Sequence, residues 1–383
     1  MRMQLVALVL AVGCSGIHVV NPPQRPQPAP DDAPLPPVEP VEPGSESMNT
    51  EYCRGSCAEE QARFVEFGKK IQQLQELQTR NRNQPVRRGF HAKAHGCLRA
   101  EVEPLPNRDP RTRFGVWAEG KGPYKAWVRF SNGVGWVQAD DELDARGMAV
   151  KLMGVEGNRL NDLEKQTQDF LMTNSRAPVG RDAEEFMEFA FANEKGTLGG
   201  LGFLLTHPNT AGTALTSTGA VNSMVTTQYW SGGAYHLGAH QAVKFTSKAC
   251  DGQKEREKLD RGDPDYLKKD LESAAKEGLC FTLYVQFQVD PAKTPIEHAS
   301  YVWDEDLSPP VPVATIKMPP QSLDRPGLQD FCDSLSYSPW HGLQAHQPMG
   351  HINRARLAVY DSSRVHRKGG FEPSDFQGFD QAQ

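Results

Sequence analysis

The sequence predicts an α+β domain behind a leader and a linker, and three observations carry that expectation. Runs in the middle of the chain alternate with a period of two, as in KAWVRFS at Lys125–Ser131 and FTLYVQFQV at Phe281–Val289, which is the pattern of strands with two unlike faces. Helical periodicity marks both ends of the same region, in Cys57–Arg82 and in Arg354–Arg367. The first 48 residues show neither pattern, and no internal repeat is present.

Met1–Val12 holds one arginine, Arg2, and then the apolar run LVALVLAV, followed by Gly13 and Cys14. The run is far shorter than the ~20 residues a membrane-spanning helix needs, and it suits the core of a secretory signal. Its Gly-Cys ending resembles the lipobox of bacterial lipoproteins, in which Cys14 would be lipidated, although Ala11 stands where Leu is usual. An ordinary signal peptide is the other reading, and both export the chain. Asn21–Ser47 is dense in Pro and poor in large apolar side chains, so it cannot bury enough surface to offset its ordering entropy and reads as an extended tether. The expected organisation is a lipoprotein-type signal over 1–14, a Pro-rich disordered linker over 15–48, and one folded domain over 49–383. Such a chain would lie in the bacterial cell envelope, in the periplasm or on the outer membrane.

A net charge of −6 with no basic tract argues against a nucleic-acid partner. With Cys14 set aside, Cys53, Cys57, Cys97, Cys250, Cys280 and Cys332 remain. An even number in an exported chain suits up to three disulfides, whose pairing the sequence does not give. The spacing does not match that of zinc sites.

In Cys57–Arg82, Phe64, Phe67, Ile71, Leu74 and Leu77 recur at three and four, giving one apolar stripe for packing on the main domain. RGFHAKAHG follows at Arg88–Gly96, with His91 and His95 at i, i+4. Gly89 and Gly96 argue against a helix there, so the segment reads as a loop running into a strand, and either histidine could be an ordinary surface or core residue. In KAWVRFS, Trp127 and Arg129 share one face and Val128 and Phe130 the other. A Gly- and Asp-rich loop then leads through Arg146 and Gly147 into the strand MAVKLMGV. Thr206–Gly219 is small and polar and reads as a loop. Val221–Ala249 ends in two strand-like pieces, a charged helix follows Pro264, another strand covers Pro309–Met318, and Cys332–Pro348 reads as a long loop into the last helix.

That helix has no Gly or Pro, and Arg356, Tyr360, Ser363 and Arg367 fall on one face. A tyrosine one turn after an arginine has a donor for its oxygen, a nearby cation favours the phenolate, and a phenolate can hold haem iron. The plain alternative is a solvated basic helix with one half-buried tyrosine.

Five blocks in order, RxxHAK, VRFS, DxRGxAVK, QDFLxxNS and RxxxYD, resemble the haem catalase family over Arg88–Arg367. The chain is identified as similar to its small, catalase-related peroxidase type, which lacks the C-terminal helical domain. The resemblance implies a closed antiparallel β-barrel with helical insertions and a C-terminal helix carrying the haem ligand. It implies haem b as cofactor, with Tyr360 as iron ligand, Arg356 beside it, and Arg88, Arg129 and Arg367 on the propionates. It makes His91 the distal acid-base group, Ser131 the hydroxyl that orients it, and Asn174 the distal amide. It places Asp144 in the access channel, with Phe90 and Val179 as departures from the family's channel residues. Tyr229, Ser231 and Tyr235 match weaker positions and read first as barrel-wall residues.

The implied activity is haem-dependent decomposition of hydrogen peroxide or an organic peroxide, with an unknown electron donor; a homo-oligomer is left open. Two alternatives stand beside it: isomerisation or cleavage of lipid hydroperoxides, which a wider ceiling at Val179 and Gly180 would suit, and a non-catalytic envelope lipoprotein with the same fold.

Overall fold

The structure is a computed structural model that describes residues 51–161, 166–217, 221–254 and 259–368. The signal and linker calls, Cys14 among them, lie outside the described residues, as do the two ends of the expected domain.

Eight antiparallel strands close into a barrel. They are β1 (Ala94–Pro104), β2 (Tyr124–Asn132), β3 (Arg146–Met153), β4 (Thr167–Thr173), β5 (Tyr229–Trp230), β7 (Ala242–Ala249), β8 (Leu279–Phe287) and β9 (Val311–Met318). Each pairs with the next, and β9 returns to β1 through Glu101 opposite Lys317. Two short strands, β6 (Ala234–His236) and β10 (Pro348–Met349), extend the sheet from β7. Closure removes the edges that an open sheet would leave unpaired.

Alternation decides which side chains fill the barrel. Val128 and Phe130 of β2, Met148 and Val150 of β3, Phe170 and Met172 of β4, and Phe281 of β8 belong to one buried cluster on the inner face. The residues between them point outward: Trp127, Arg129 and Ser131, then Gly147, Ala149 and Lys151, then Asp169, Leu171 and Thr173. Register places Ser131 opposite Gly147, and Gly147 opposite Thr173. One strip of outer wall therefore carries the polar residues that the sequence marks.

Two helices cover that wall. α1 (Cys57–Arg82) starts at a capping box in which Ser56 and Glu59 satisfy each other's backbone N–H. The last helix of the fold, α7 (His351–His366), lies along α1 so closely that a Cβ at Gly68 would meet the Ser362 side chain. Between them in sequence come α2 (Ala183–Glu194), α3 (Thr197–Thr206), α4 (Pro208–Ser217), α5 (Tyr266–Ala275) and α6 (Leu328–Ser334). Cys53–Cys57, Cys97–Cys332 and Cys250–Cys280 form disulfides.

Three sequence expectations are corrected. The expected loop over Thr206–Gly219 is helical in its described part, because α4 starts at Pro208, whose fixed φ and missing N–H cost nothing in a first turn. Its small polar residues simply carry no apolar period. Cys332–Pro348 begins inside α6 and becomes irregular only after Ser334. The terminal helix starts three residues before Arg354, at His351 after Gly350 with φ +86°, and Arg367 caps it from outside.

Candidate active site

His91 sits in the left-handed region, φ +58°, between the end of a loop and β1. Two backbone bonds hold it there: His91 N–H donates to the Gly133 carbonyl at 2.7 Å, and Arg129 Nη2 donates to the His91 carbonyl at 2.9 Å. Its Nδ1 is 3.1 Å from Ser131 Oγ. The ring lies flat enough on the wall that a Cβ at Gly147 would come within 2.6 Å of Nδ1. Glycine at that strand position is what allows the approach. Burial, with the charge of Arg129 second, lowers the His91 pKa to about 3, and the charges of Arg356 and Arg88 act the same way. The imidazole is therefore neutral at ordinary pH.

Asn174 follows β4 and is locked to β3 twice. Its Oδ1 accepts from Arg146 N–H at 2.7 Å, and its own N–H donates to the Arg146 carbonyl at 2.9 Å. The oxygen is thus the end of the amide committed to the wall.

On α7, Arg356 Nη2 donates to Tyr360 Oη at 2.7 Å, and Nη1 donates to Asn353 Oδ1 at 2.9 Å. Burial opposes the guanidinium charge, yet the oxygens of Tyr360 and Tyr235 outweigh it and raise the Arg356 pKa. Tyr235, buried in the barrel wall, lies close enough for its oxygen to act on that guanidinium. Tyr229 and Ser231 are barrel-wall residues, the first bonded to the Met224 carbonyl and the second to the Gly233 carbonyl.

Arg88, Arg129 and Arg367 meet at one place, around the end of α6. Arg88 donates to the carbonyls of Asp333 and Leu335, and Arg367 to the same two at 2.9 and 3.0 Å. The Asp333 carboxylate lies 3.8 Å from Arg88, 3.9 Å from Arg129 and 3.4 Å from Arg87. Three guanidiniums thus share one carboxylate, and a fourth, that of Arg367, adjoins it through the backbone carbonyls. Burial and mutual repulsion push the Arg88 pKa well down, burial lowers that of Arg129, and Arg129 Nε is buried without a partner. A cluster of this kind lacks anions, and two carboxylates would supply them. The wall beside it, at Ala149, Leu171 and Thr173, is only half-covered despite lying mid-sheet, and so are Arg356 and Tyr360 on the helix. These features fit a dianionic cofactor, which Tyr360, Arg356 and the arginine cluster would hold.

The three channel positions have the following surroundings. Asp144 is buried and its Oδ2 accepts from Gly133 N–H at 3.0 Å and Val134 N–H at 3.2 Å, so it ties the loop whose carbonyl holds His91. Burial raises its pKa to about 6. The Phe90 ring turns to Phe186 of α2, with centroids 5.0 Å apart. Val179 is half-buried before Gly180. His95 belongs to a separate buried network, 2.8 Å from Asn132 Oδ1.

Sequence reasoning missed Asp333 and Gly147 as site residues. A glycine inside a strand pattern is a usable signal of close approach, whereas nothing local marks Asp333, which the Cys97–Cys332 disulfide brings to the wall.

Comparison with solved structures shows the catalase fold. A fungal catalase matches with a TM-score of 0.60 at 20% identity over 76% of this chain and 61% of its own. Catalase A from Saccharomyces cerevisiae matches at 0.60 and 19%, over 77% of this chain and 64% of its own. A bacterial catalase matches at 0.61 and 18%, over 77% and 60%. The chain therefore spans about three fifths of the length of these catalases. No protein-family model matches it, and no curated protein matches it.

Proposed function

We propose that the chain is a haem-dependent peroxidase or catalase that decomposes hydrogen peroxide or an organic hydroperoxide. The observation that carries this reading is the pairing of an arginine cluster short of counter-ions, Arg88, Arg129 and Arg367 at the end of α6, with a tyrosine on α7 whose oxygen accepts from Arg356 at 2.7 Å. The phenol is carried by α7 and the imidazole by the wall at Ser131 and Gly147. Tyr360 would hold the iron, and Arg88, Arg129 and Arg367 would pair with the propionates. The bound haem would supply the redox centre at which the O–O bond is broken.

The chain's own residues would manage the proton. With Nδ1–H donated to Ser131 Oγ, the Nε2 lone pair of His91 is free to take a proton from one peroxide oxygen and return it to the other. A low pKa suits a group that must start neutral. Asn174, held by its oxygen, would orient peroxide through its amide nitrogen without adding a titratable group.

Three disulfides in the described residues support an oxidising compartment. With the Cys14 motif, they support placement in the bacterial envelope as a lipid-anchored protein. The test of the functional reading is peroxide consumption by haem-loaded protein and its His91→Ala variant; equal rates would remove the reading.

A further inference from the structure

The outer side of α3 is apolar and uncovered among the described residues. Leu198, Leu201 and Leu205 are 85%, 53% and 77% exposed and fall at i, i+3 and i+7 on one face. The opposite side docks on α2, where Phe203 packs on Phe189 with centroids 5.7 Å apart. No Asp, Glu, Lys or Arg occurs between Lys195 and Lys244.

A second patch adjoins it. The end of α3, at His207, and His298 line one cavity, and His298 also lines the next, whose wall holds Tyr301, Val302 and Leu307. These three and the three leucines of α3 are half of the twelve exposed large hydrophobic side chains of the described residues. A patch of this kind on a folded domain marks contact with a protein or a membrane.

The position of the amino-terminal end decides between them. The described chain begins at Glu51, and Arg54 Nη1 donates to Asp182 Oδ2 at 2.8 Å, at the N-cap of α2. Glu185, one turn on, accepts from Thr210 of α4. Arg181, Asp182 and Glu185 line the same cavity as His207. The described chain thus enters the domain at the N-cap of α2, beside the end of α3 at His207, and the sequence before it carries the apolar run and Cys14.

We propose that α3, with Tyr301 and Val302 beside it, is a docking surface for a lipid bilayer, its leucines entering the interfacial region. An uncharged helix with protruding leucines and a neighbouring tyrosine suits the boundary between headgroups and acyl chains. The carboxylates of the adjoining cavity, Glu184 and Glu188 among them, disfavour anionic headgroups, so attachment to zwitterionic lipid is insensitive to salt. This inference does not depend on haem.

The test uses the full chain with Cys14→Ser and a polarity-sensitive fluorophore on Leu201→Cys, the other six cysteines being disulfide-bonded. A second labelled variant, Leu143→Cys, is the control, being 75% exposed on the loop between β2 and β3. With phosphatidylcholine vesicles, emission at position 201 shifts to the blue and is quenched by lipids brominated in the upper acyl chain, while position 143 is unaffected. Leu198→Gln with Leu205→Gln lowers vesicle affinity about tenfold or more with an unchanged melting curve.

The proposal fails if the label at 201 stays in water while the chain is vesicle-bound through its amino-terminal run. It fails equally if 0.5 M salt abolishes the shift. A shift without vesicles that grows with protein concentration would assign the face to a second copy. One independent of concentration would assign it to the Leu5–Val12 run.

Discussion

Arg356 and Tyr360 are joined within α7, Nη2 to Oη at 2.7 Å, and the other end of the guanidinium is pinned by Asn353. The donor for the phenol is thus fixed before any cofactor arrives. Arg356→Met should leave Tyr360 in place and weaken haem affinity about 10- to 100-fold, the usual cost of losing a group that orients a ligand. Haem titration of variant and parent measures it; equal affinities would deny Arg356 this part.

His91 should not limit activity on the acid side in the ordinary way. With its pKa lowered to about 3, by burial first and Arg129 second, the ring remains neutral far below the ~6.5 of a free histidine. The rate of peroxide consumption should be flat from pH 8 to about pH 4, and His91→Ala should lower it by about 10²–10⁴. An acid limb centred near 6.5 would contradict the burial described for this ring.

Asp333 is the shared counter-ion of Arg87, Arg88 and Arg129. Asp333→Asn should destabilise the haem-free protein by about 1–3 kcal/mol, because it leaves crowded cations without their carboxylate. It should destabilise the haem-loaded protein less, since propionates would replace the lost charge. Melting temperatures of the two forms compare these costs, and equal losses would mean that no anion reaches the cluster.

Asp144 makes stability depend on pH. Burial raises its folded pKa from 3.8 to about 6, so the folded chain holds this proton more tightly than the unfolded chain does. Its contribution is full below about pH 4 and lost as pH rises through 6. Asp144→Asn keeps an acceptor for Gly133 and Val134 without the charge. Relative to the parent, it should gain about 3 kcal/mol between pH 4 and pH 8, read from denaturant midpoints; a constant difference would refute the assignment.

The Cys97–Cys332 disulfide ties β1 to the helix that carries Asp333. Cys97→Ser with Cys332→Ser should cost about 2–4 kcal/mol of stability and weaken haem retention more than the double substitution at Cys250 and Cys280. Equal effects on haem would show that α6 is held without it.

Much of this arrangement is legible in the sequence, though unevenly. α1 matches its apolar stripe end to end, since Ser56 and Glu59 mark the start and Asn83, φ +51°, the stop. The two faces of KAWVRFS separate Arg129 from Phe130 as observed. Closure of the barrel is another matter, because pairing β7 with β8 and β9 with β1 depends on contacts distant in sequence. For the same reason the disulfide pairing and the place of Asp333 stayed hidden. α4 is not legible because helices of small polar residues show no period, and Gly147 because the apolar alternation starts only at Met148, so that the strand's first two residues read as loop.

The most direct test is titration of haem into the purified chain and into Tyr360→Phe, followed in the Soret and visible regions. The expected result is saturable binding of one haem per chain, with a ferric phenolate-type spectrum that Tyr360→Phe loses. Absence of saturable binding by the parent, or an identical spectrum from Tyr360→Phe, would contradict the claim that this phenol holds the iron.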